Sequence, residues 1–496
     1  MRQTRYRIEF TVADAAGIHE VGVDMPQRDA ISLRMDGLKV TAGERVYLVT
    51  RWLLSAILWL AWNSTTLPAA DRVVDPDLRR PADDRPRHDD AKLRELGIRR
   101  FESRRLLLYS DIDPNVAKTL PALIDAVYPE WVDYFGPLPP AEDGSEFQLT
   151  GYLMRDRGLF LDSGLLPEEL VDFQHGKHRR YEFWMAEQQY DYYRRHLLLH
   201  EATHCFMTIV PRPSRQPLFY QEGMAELFGS HTTDDTGRIV FRHIAADPQH
   251  AIGFGRIEMV QQEVAAGRAK SLDAVIKLSA QDFTSRSIPY AWSWAACQFL
   301  DTHPRYRDRF RQLAPLSDGE AFRDALGRLY AADRWRLTTE WKLFTHSIQY
   351  GYDIEAAAID WPEVESQATA EPAAVVVDAR RGWQCSGMMV ERGQRVRIVA
   401  SGEITLADTP KPWVSQPQGI TIRYANGQPL GRLLATVLPT KGDAATDPTL
   451  PATIPVSRDV EFVAEEAGWL ALRINDSWNQ LRDNRGEYRV SVSVLP

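Results

Sequence analysis

Two histidines and a glutamate near the middle of the chain have the spacing of a metal-binding helix. Residues 200–204 read His-Glu-Ala-Thr-His. Positions four apart lie on one face of a helix, so His200 and His204 can present two imidazoles to one metal ion. Glu201 is one residue along, where its carboxylate can reach a water on that metal and act as a base. The pattern predicts a hydrolytic zinc site; the alternative is a buried helix whose histidines are satisfied by backbone or water.

A second pair of carboxylates follows on another predicted helix. Residues 219–231, FYQEGMAELFGSH, place Glu222 and Glu226 one helical turn apart among apolar residues. Seventeen residues separate His204 from Glu222, enough for a loop and a return of the chain. A His-His-Glu set leaves one zinc position open for water, and a carboxylate bonded to a ligating imidazole fixes its tautomer. We therefore expect Glu222 as the third ligand and Glu226 beside a ligating histidine, against the alternative of a solvated helix face.

Together, HEATH and EGMAE resemble the motifs of the gluzincin metallopeptidases of the thermolysin and aminopeptidase N type. The similarity is greatest to the bacterial peptidase-MA-like families. It covers residues 100–350 and is strong only over 196–230. The resemblance implies these roles: His200, His204 and Glu222 as zinc ligands, Glu201 as general base, and Glu226 as the carboxylate that matches the one orienting a zinc ligand in thermolysin.

The amino-acid sequence lacks the motifs of several other catalytic families. The metzincin motif needs Gly and His three and six residues after the second histidine, where this chain has Met207 and Val210. CxxC pairs, a GxSxG elbow and a P-loop are absent, and the three cysteines are interpreted as core residues. Residues 165–195 contain no counterpart of the G-x-M-E-N stretch with which aminopeptidases hold a free amine. Endopeptidase action is therefore favoured over aminopeptidase action.

Two further segments are expected to border the site. SIPYAWSWAACQFL, residues 287–300, resembles the aminopeptidase segment whose tyrosine stabilises the tetrahedral intermediate. That implies Tyr290 as an oxyanion donor, and the alternative is a core tyrosine. YEFWMAEQQ, residues 181–189, is either the edge strand along which an extended peptide lies or an ordinary core strand or helix start.

Beyond residue 372 the hydrophobic period changes from helical to alternating. Apolar and polar residues alternate around 396–400, 470–474 and 488–494. Such alternation predicts half-buried strands, so residues 373–496 are expected to form a β-sandwich. The alanine-rich and charged stretch before it reads as a boundary, and the sandwich is therefore expected to fold on its own.

Parts of this sandwich resemble the bacterial galactophilic calcium lectins of the PA-I type. The matching stretches are 382–404, 431–435 and 472–492. The resemblance implies Asp476, Asp483 and Asn484 as calcium ligands, the backbone of Gln480 as a further ligand, and a carbohydrate held through the calcium. Oxygen ligands clustered in one loop suit calcium. The tyrosine ligand of that family has no clear counterpart here, and the alternative is a set of polar turns between strands.

The N-terminal part is interpreted as a leader and a linker. Residues 52–62, WLLSAILWLAW, are apolar and uncharged, with Arg51 upstream. Within a leader of residues 1–70, the segment 46–70 is therefore typical of a secretory signal; a buried core helix and an uncleaved anchor are the alternatives. Residues 71–97 are charged and contain prolines, so they are interpreted as a solvated linker.

The composition favours a globular protein of several domains without nucleic acid as a partner. The chain has 496 residues, 44% of them hydrophobic, and a formal net charge of −9. Cores can therefore form, but no basic excess exists to hold a phosphate backbone. We expect an α+β fold: a gluzincin catalytic domain of the thermolysin/aminopeptidase type over 98–365 with its helical part at 232–360, followed by the all-β domain at 373–496.

The predicted function is that of a zinc metallopeptidase that hydrolyses peptides or proteins. The signal-like segment places it outside the cell, in the periplasm or in the cell envelope, with membrane contact only through an uncleaved signal segment. Two other functions stay open at this point. One is a carbohydrate-binding or adhesive protein that uses the peptidase domain as a scaffold. The other is a gluzincin hydrolase that acts on a non-peptide substrate such as an ester or an epoxide.

Overall fold

The structure is a computed structural model that describes two strands near the N-terminus and most of the chain from residue 77 onward. The described residues are 5–14, 17–26, 77–209, 216–284, 286–315, 319–362, 366–440 and 450–496. The chain divides into two compact units, Met1–Thr66 and Leu67–Pro496. In the first unit, β1 (Arg5–Asp14) pairs antiparallel with β2 (Gly17–Pro26). The signal-like segment 46–70 lies outside the described residues. Among those residues, no helix is both long enough and apolar enough to cross a membrane.

The second unit begins with a five-stranded sheet. In chain order its strands are β3 (Arg99–Glu102), β4 (Leu106–Ser110), β5 (Leu149–Met154), β6 (Gly176–Arg179) and β7 (Glu182–Ala186). The order across the sheet is β3-β4-β5-β7-β6. The inner strands β4, β5 and β7 are parallel, and both edge strands run antiparallel to their neighbours. The inner strands are nearly continuous apolar runs because both of their faces are buried.

Of the two interpretations of residues 181–189, an edge strand or a core strand, the structure shows the core strand. Residues 181–189 contain β7, which lies between β5 and β6 and buries Phe183, Trp184 and Met185. The edge strand is β6, whose side chains alternate between half-buried and exposed. Three consecutive buried apolar residues mark an inner strand, whereas an edge strand keeps one solvated face. The edge-strand interpretation of 181–189 is therefore corrected in favour of β6.

Residues 77–97 are also not a solvated linker. Arg80 is buried, and its Nη1 donates to the Tyr181 hydroxyl at 2.6 Å. Its backbone amide donates to Pro140 O at 3.1 Å. Helix α1 (Asp90–Glu95) follows, capped by the Asp89 side chain. Charged residues dominate this stretch because they pair with the sheet and its loops, which composition alone does not distinguish from solvation.

Helices form the middle of the unit. Those packed around the sheet are α2 (Pro114–Ala117), α3 (Pro121–Phe135) and α4 (Arg157–Asp162). The HEATH and EGMAE sequences lie on α5 (Asp191–Thr208) and α6 (Leu218–Gly229), and short strands β8 (His231–Thr233) and β9 (Ile239–Phe241) follow them. The remaining helices are α7 (Arg256–Ala265), α8 (Leu272–Ile276), α9 (Ala280–Phe283), α10 (Ile288–Thr302), α11 (Arg307–Arg311), α12 (Gly319–Tyr330), α13 (Arg334–Ser347) and α14 (Ile354–Ala357). Single 3-10 turns lie at Glu168–Leu170 and Pro248–Ala251.

Helices α6 and α10 approach each other closely at a glycine. A Cβ added at Gly223 would lie 2.5 Å from the Cys297 sulfur and 2.5 Å from the Ser293 carbonyl oxygen. No larger side chain fits between these two helices. Helix α10 in turn carries Tyr290 in its first turn, so the contact at Gly223 fixes how the two helices present their residues to the site.

The C-terminal part consists of strands in two facing sheets. They are β10 (Ser366–Gln367), β11 (Ala373–Asp378), β12 (Gln384–Val390), β13 (Arg395–Ser401), β14 (Ile404–Thr405), β15 (Val414–Ser415), β16 (Ile420–Ala425), β17 (Gln428–Leu430), β18 (Leu433–Pro439), β19 (Ile454–Pro455), β20 (Asp459–Val463), β21 (Gly468–Ile474) and β22 (Arg485–Leu495). One sheet has the order β10-β12-β21-β18-β19 and the other β15-β14-β22-β13-β20, with β11 also on β22; β16 and β17 form a separate hairpin. The β-rich C-terminal part and the α+β class of the whole are as predicted.

Strand β21 is buried on both faces. Leu470, Leu472 and Ile474 lie in the core between the two sheets. Trp469 and Ala471 point the other way, into the cluster that also holds the helices. A sequence of alternating apolar residues predicts one solvated face, and here that face is covered by the helical part. The sandwich therefore shares an apolar contact with the helical part across the boundary that the sequence predicts before residue 373.

Candidate metal centre

Helix α5 presents the HExxH residues on one buried side. His200, Glu201 and His204 are all buried, and the two imidazoles lie one turn apart. The other side of α5 is fixed by core contacts, among them a hydrogen bond of 3.1 Å from Trp131 Nε1 on α3 to Thr203 Oγ1. Because both of these residues are fully buried, this hydrogen bond helps to fix which side of α5 faces the site.

Helix α6 returns beside α5 and brings Glu222 to the two imidazoles. The Nε2 atoms of His200 and His204 are 3.1 Å apart. Glu222 Oε2 lies 3.1 Å from His204 Nε2 and 3.5 Å from His200 Nε2. In a tetrahedral zinc site with bonds of about 2.0–2.1 Å, ligand atoms lie about 3.3 Å from one another. The three predicted ligands therefore form a triangle of the size that zinc requires.

The charges around this triangle favour a cation. Burial would raise the pKa of Glu222, but the two imidazoles hold it well below its usual range. Burial would lower the pKa of His200, but the hydrogen bond to Glu222 and the charges of Glu226 and Glu201 raise it above its ordinary value. The two facing imidazole nitrogens, 3.1 Å apart, need either a shared proton or a metal ion between them. One metal ion bound to all three atoms would meet that need.

Glu226 lies behind the candidate ligands, just outside hydrogen-bond distance of His200. Its Oε1 is 3.6 Å from Nδ1 of His200. Arg256 donates two hydrogen bonds of 3.0 and 2.8 Å to the Glu226 carboxylate, and His196 Nε2 lies 3.1 Å from that carboxylate. All of these groups are buried. Burial opposes ionisation, but Arg256 and His196 hold the pKa of Glu226 well below its usual range.

A second set of residues, His196, His200 and Glu226, also has atoms close enough to hold a metal. Its carboxylate is already neutralised by the Arg256 guanidinium at 2.8 Å. A cation placed there would face that guanidinium in a buried setting, which is unfavourable. The set His200, His204 and Glu222 has no such competitor among the described residues, so the geometry favours it as the metal centre.

The edge strand β6 passes directly over Glu201. A Cβ added at Gly176 would lie 2.7 Å from Glu201 Cδ and 2.8 Å from its Cγ, and closer still to Oε1. The carboxylate thus occupies the space that a side chain at position 176 would need. Burial would raise the pKa of Glu201, but the nearby histidines, His178 foremost, lower it. Glu201 is therefore ionised and able to accept a proton.

His178, also on β6, belongs to the site although the sequence interpretation missed it. Its ring stacks on His204 with centroids 4.4 Å apart, and its Nδ1 lies 3.4 Å from Glu201 Oε2. Gly176 and His178 share one face of β6 because strand residues two apart point the same way. The only signal in the sequence was a histidine in a short alternating stretch. Such a signal becomes informative only once β6 is known to lie beside α5.

Tyr290 is at the site, in the first turn of α10. Its ring centroid is 6.3 Å from that of His200, and the Arg256 guanidinium lies 6.0 Å from the tyrosine ring. Burial, and the charges of Glu222 and Glu226, raise its pKa. The hydroxyl therefore keeps its proton and is available as a hydrogen-bond donor. By contrast, Cys205 is buried with its sulfur 3.5 Å from the Glu182 carbonyl oxygen, as a core residue.

The predicted calcium residues lie in one loop, 475–484, after β21. Asp476 is buried and its Oδ1 accepts from the Ser477 amide at 2.7 Å. Asn484 is also buried; its Nδ2 donates to Ala379 O at 3.0 Å, but its Oδ1 has no donor within the described chain. Burial raises the pKa of Asp476 to about 6, with the neighbouring Asp483 adding to the effect. The loop therefore brings together Asp476, Asp483 and Asn484.

Gln480 has a different role from the other three residues in this loop. Its backbone amide donates to Ser477 O at 3.0 Å and closes a turn. Its side-chain oxygen accepts from Arg423 at 3.1 Å. The side chain is therefore engaged elsewhere, which leaves the backbone carbonyl as the group that the sequence proposes.

Comparisons with known proteins found few similarities to this chain. No family model matches it, and no curated protein matches it. Among solved structures, one described as the EclA N-terminal domain, a PllA-like lectin, is 22% identical with a TM-score of 0.20. That match covers 25% of this chain and 95% of the other.

Proposed function

We propose that the protein is a zinc-dependent metallopeptidase of the gluzincin type, acting as an endopeptidase. The observation that supports this is the triangle of His200 Nε2, His204 Nε2 and Glu222 Oε2, with edges of 3.1–3.5 Å, beside the buried carboxylate of Glu201. These residue types and separations match a catalytic zinc site with one position left for water.

Each residue of the site has a separate role in the proposed reaction. His200, His204 and Glu222 would hold the metal. Zinc in such a site supplies Lewis acidity and lowers the pKa of water to about 7. Glu201 takes the proton of the attacking water and delivers it to the leaving amine. Tyr290 donates its hydroxyl proton in a hydrogen bond to the carbonyl oxygen as that oxygen becomes negative.

The edge strand β6 provides a place for the substrate. It ends the sheet, and no described strand pairs with its outer side. Its Gly176 and His178 lie against the Glu201 carboxylate. An extended peptide that pairs with the free edge of β6 would run past Glu201, with its main chain held by backbone hydrogen bonds. This arrangement favours action within a peptide over removal of a terminal residue.

Metal analysis of the purified protein tests the proposal first. We expect about one zinc per chain, lost in His200→Ala and in Glu222→Ala. Glu201→Gln should keep zinc and fold but lose nearly all hydrolysis of a peptide library read by mass spectrometry. Glu391→Gln removes an exposed carboxylate in the sandwich and serves as the matched control. Full zinc in Glu222→Ala would remove Glu222 from the ligand set, and full turnover in Glu201→Gln would overturn the mechanism.

A non-peptide substrate is distinguished by the same variants. If the peptide library stays intact while an activated ester is hydrolysed in a Glu201-dependent way, the zinc centre serves a different substrate class. If no hydrolysis occurs although zinc is bound, the peptidase fold acts as a scaffold for binding.

We also propose that loop 475–484 binds calcium and, through it, a carbohydrate. A buried carboxylate at Asp476 and an Asn484 oxygen without a donor are the groups that a cation would satisfy. Calcium should raise the melting temperature of the zinc-loaded full chain, by an amount equivalent to about 2.7 kcal/mol at 100 times its Kd. Asp476→Asn should abolish the gain and Asp235→Asn, an exposed control, should not. An unchanged melting temperature in calcium would remove the calcium and carbohydrate functions together.

A further inference from the structure

A large cavity lies between the helical part and the sandwich, away from the metal centre. Its volume of about 620 Å³ is enough for a small organic ligand. Helices α7 and α13 and strands β18 and β21 contribute to its wall. Apolar side chains line part of it, including Val264, Leu343, Leu434 and Leu438. We call it the Arg473 cavity, after the one described Arg or Lys side chain in its lining.

Arg473 is buried in the cavity wall, with only 3% of its surface exposed. Its Nε donates to Ile474 O at 3.3 Å and its Nη2 to Asp476 O at 2.8 Å. The guanidinium lies over the Trp478 ring at 3.8 Å and near Trp383 at 5.6 Å. Within the described chain, Nη1 has no hydrogen-bond partner and the guanidinium has no carboxylate within ion-pair distance. The Nη1 edge of the guanidinium is therefore free to donate hydrogen bonds to a ligand.

The charge of Arg473 is not balanced by the rest of the cavity. None of the described lining residues is Asp or Glu, although the chain as a whole carries a net charge of −9. A buried cation without a counter-charge is costly, and proteins pair such groups or use them to bind anions. Burial lowers the pKa of Arg473 to about 10, a direction that agrees with an unpaired position.

We propose that the Arg473 cavity binds a small organic carboxylate that has an apolar body. The carboxylate accepts hydrogen bonds from Nη1 of Arg473, and the apolar body packs on the side of Leu434 and Leu438. A charged carboxylate pairs with a guanidinium in charge-assisted hydrogen bonds. The described wall combines several apolar side chains with a single Arg or Lys cation, which favours a ligand with one anionic group over a polyanion. This site is independent of zinc and of peptide hydrolysis.

Calorimetric titration of the full chain with sodium octanoate tests the proposal, with octan-1-ol as the uncharged probe of the same length. We expect one octanoate per chain, bound about 10- to 100-fold more tightly than octanol, the range for a hydrogen bond to a charged group. Arg473→Met should remove that preference. Equal affinities for the two probes in the parent protein would overturn the proposal.

A second pair of variants keeps the test valid if Arg473→Met does not fold. Val264→Trp fills the cavity from α7 and leaves Arg473 in place, whereas Gln262→Trp puts the same side chain on the exposed face of that helix. Octanoate affinity should fall at least tenfold in the first and stay within twofold in the second. Unchanged affinity in Val264→Trp would place binding elsewhere and refute the site.

A third variant tests whether the chain itself supplies the carboxylate. Asp443 and Asp447 lie in the segment 441–449, between two stretches that line the cavity. D443N/D447N should bind octanoate as the parent does. If octanoate binds to this variant and not to the parent, an aspartate of the chain is the partner of Arg473, and the external ligand is excluded.

Discussion

Replacing Gly176 by alanine should disable Glu201, the proposed general base, and leave the proposed metal ligands unchanged. The new Cβ would lie 2.7 Å from Glu201 Cδ, whereas an ordinary contact is at least 3.4 Å. The carboxylate carbon must therefore retreat by about 0.7 Å, or β6 must move away by as much. Displacement of a reacting group by about 1 Å costs on the order of 10²-fold in rate. We expect kcat to fall roughly 10- to 10²-fold, with zinc content unchanged because Glu201 is not a ligand.

The assay compares kcat, KM and bound zinc for the parent and Gly176→Ala. Gly327→Ala is the matched control, because it lies within helix α12 and an added Cβ meets nothing within 4 Å. That control should keep its kcat and gain up to about 1 kcal/mol in stability. In a Glu201→Gln background, Gly176→Ala should cause no further loss, since both changes act on one group. A kcat within twofold of the parent in Gly176→Ala would refute the placement of Glu201 as the base.

Three further variants test the surroundings of the site. Glu226→Gln leaves Arg256 buried without its anion and should cost about 3–5 kcal/mol in urea denaturation; a loss under 1 kcal/mol would show that Arg256 finds another partner. Tyr290→Phe should lower kcat by roughly 10²–10³-fold at constant zinc content. An unaffected rate would show that Tyr290 is a core residue without a role in the reaction. Burial lowers the pKa of His231 from 6.5 to about 4, so the unfolded chain takes up its proton first as pH falls. The stability from neutral His231 is full above pH 6.5 and is lost towards pH 4, by up to about 3 kcal/mol. His231→Phe, which can still stack on Tyr192, should reduce this loss in denaturation curves at pH 7.5 and 5; an identical loss would assign it to other groups.

The metal centre was predictable because its signals are local. His200 and His204 lie on one helix, and the four-residue spacing alone puts them on one face. Glu222 needed one further assumption, that the next helix returns beside the first. The polar residues around it, Glu226 included, could be assigned from the same helical period. The structure brings these side chains together, and their roles stay predictions.

The residues that sequence reasoning missed depend on tertiary packing. Gly176 and His178 act through β6, and only the order of strands in the sheet brings β6 over Glu201. Arg256 reaches Glu226 from a helix 30 residues away. Its sequence neighbourhood gives no sign of a buried partner. The burial of Arg80 and the inner position of 181–189 share this cause: composition reports polarity, but not which neighbour a residue faces.

Strand β21 has a consequence for how the molecule comes apart. Because alternate residues of this strand belong to two cores, removing the sandwich would take Trp469 and Ala471 from the cluster that contains residues of α5 and α6. A domain boundary drawn along the sequence is then not a boundary in cooperativity. Heating should unfold both parts in a single calorimetric transition. Either part could be transferred to another protein only if β21 and the helices that cover it were transferred together.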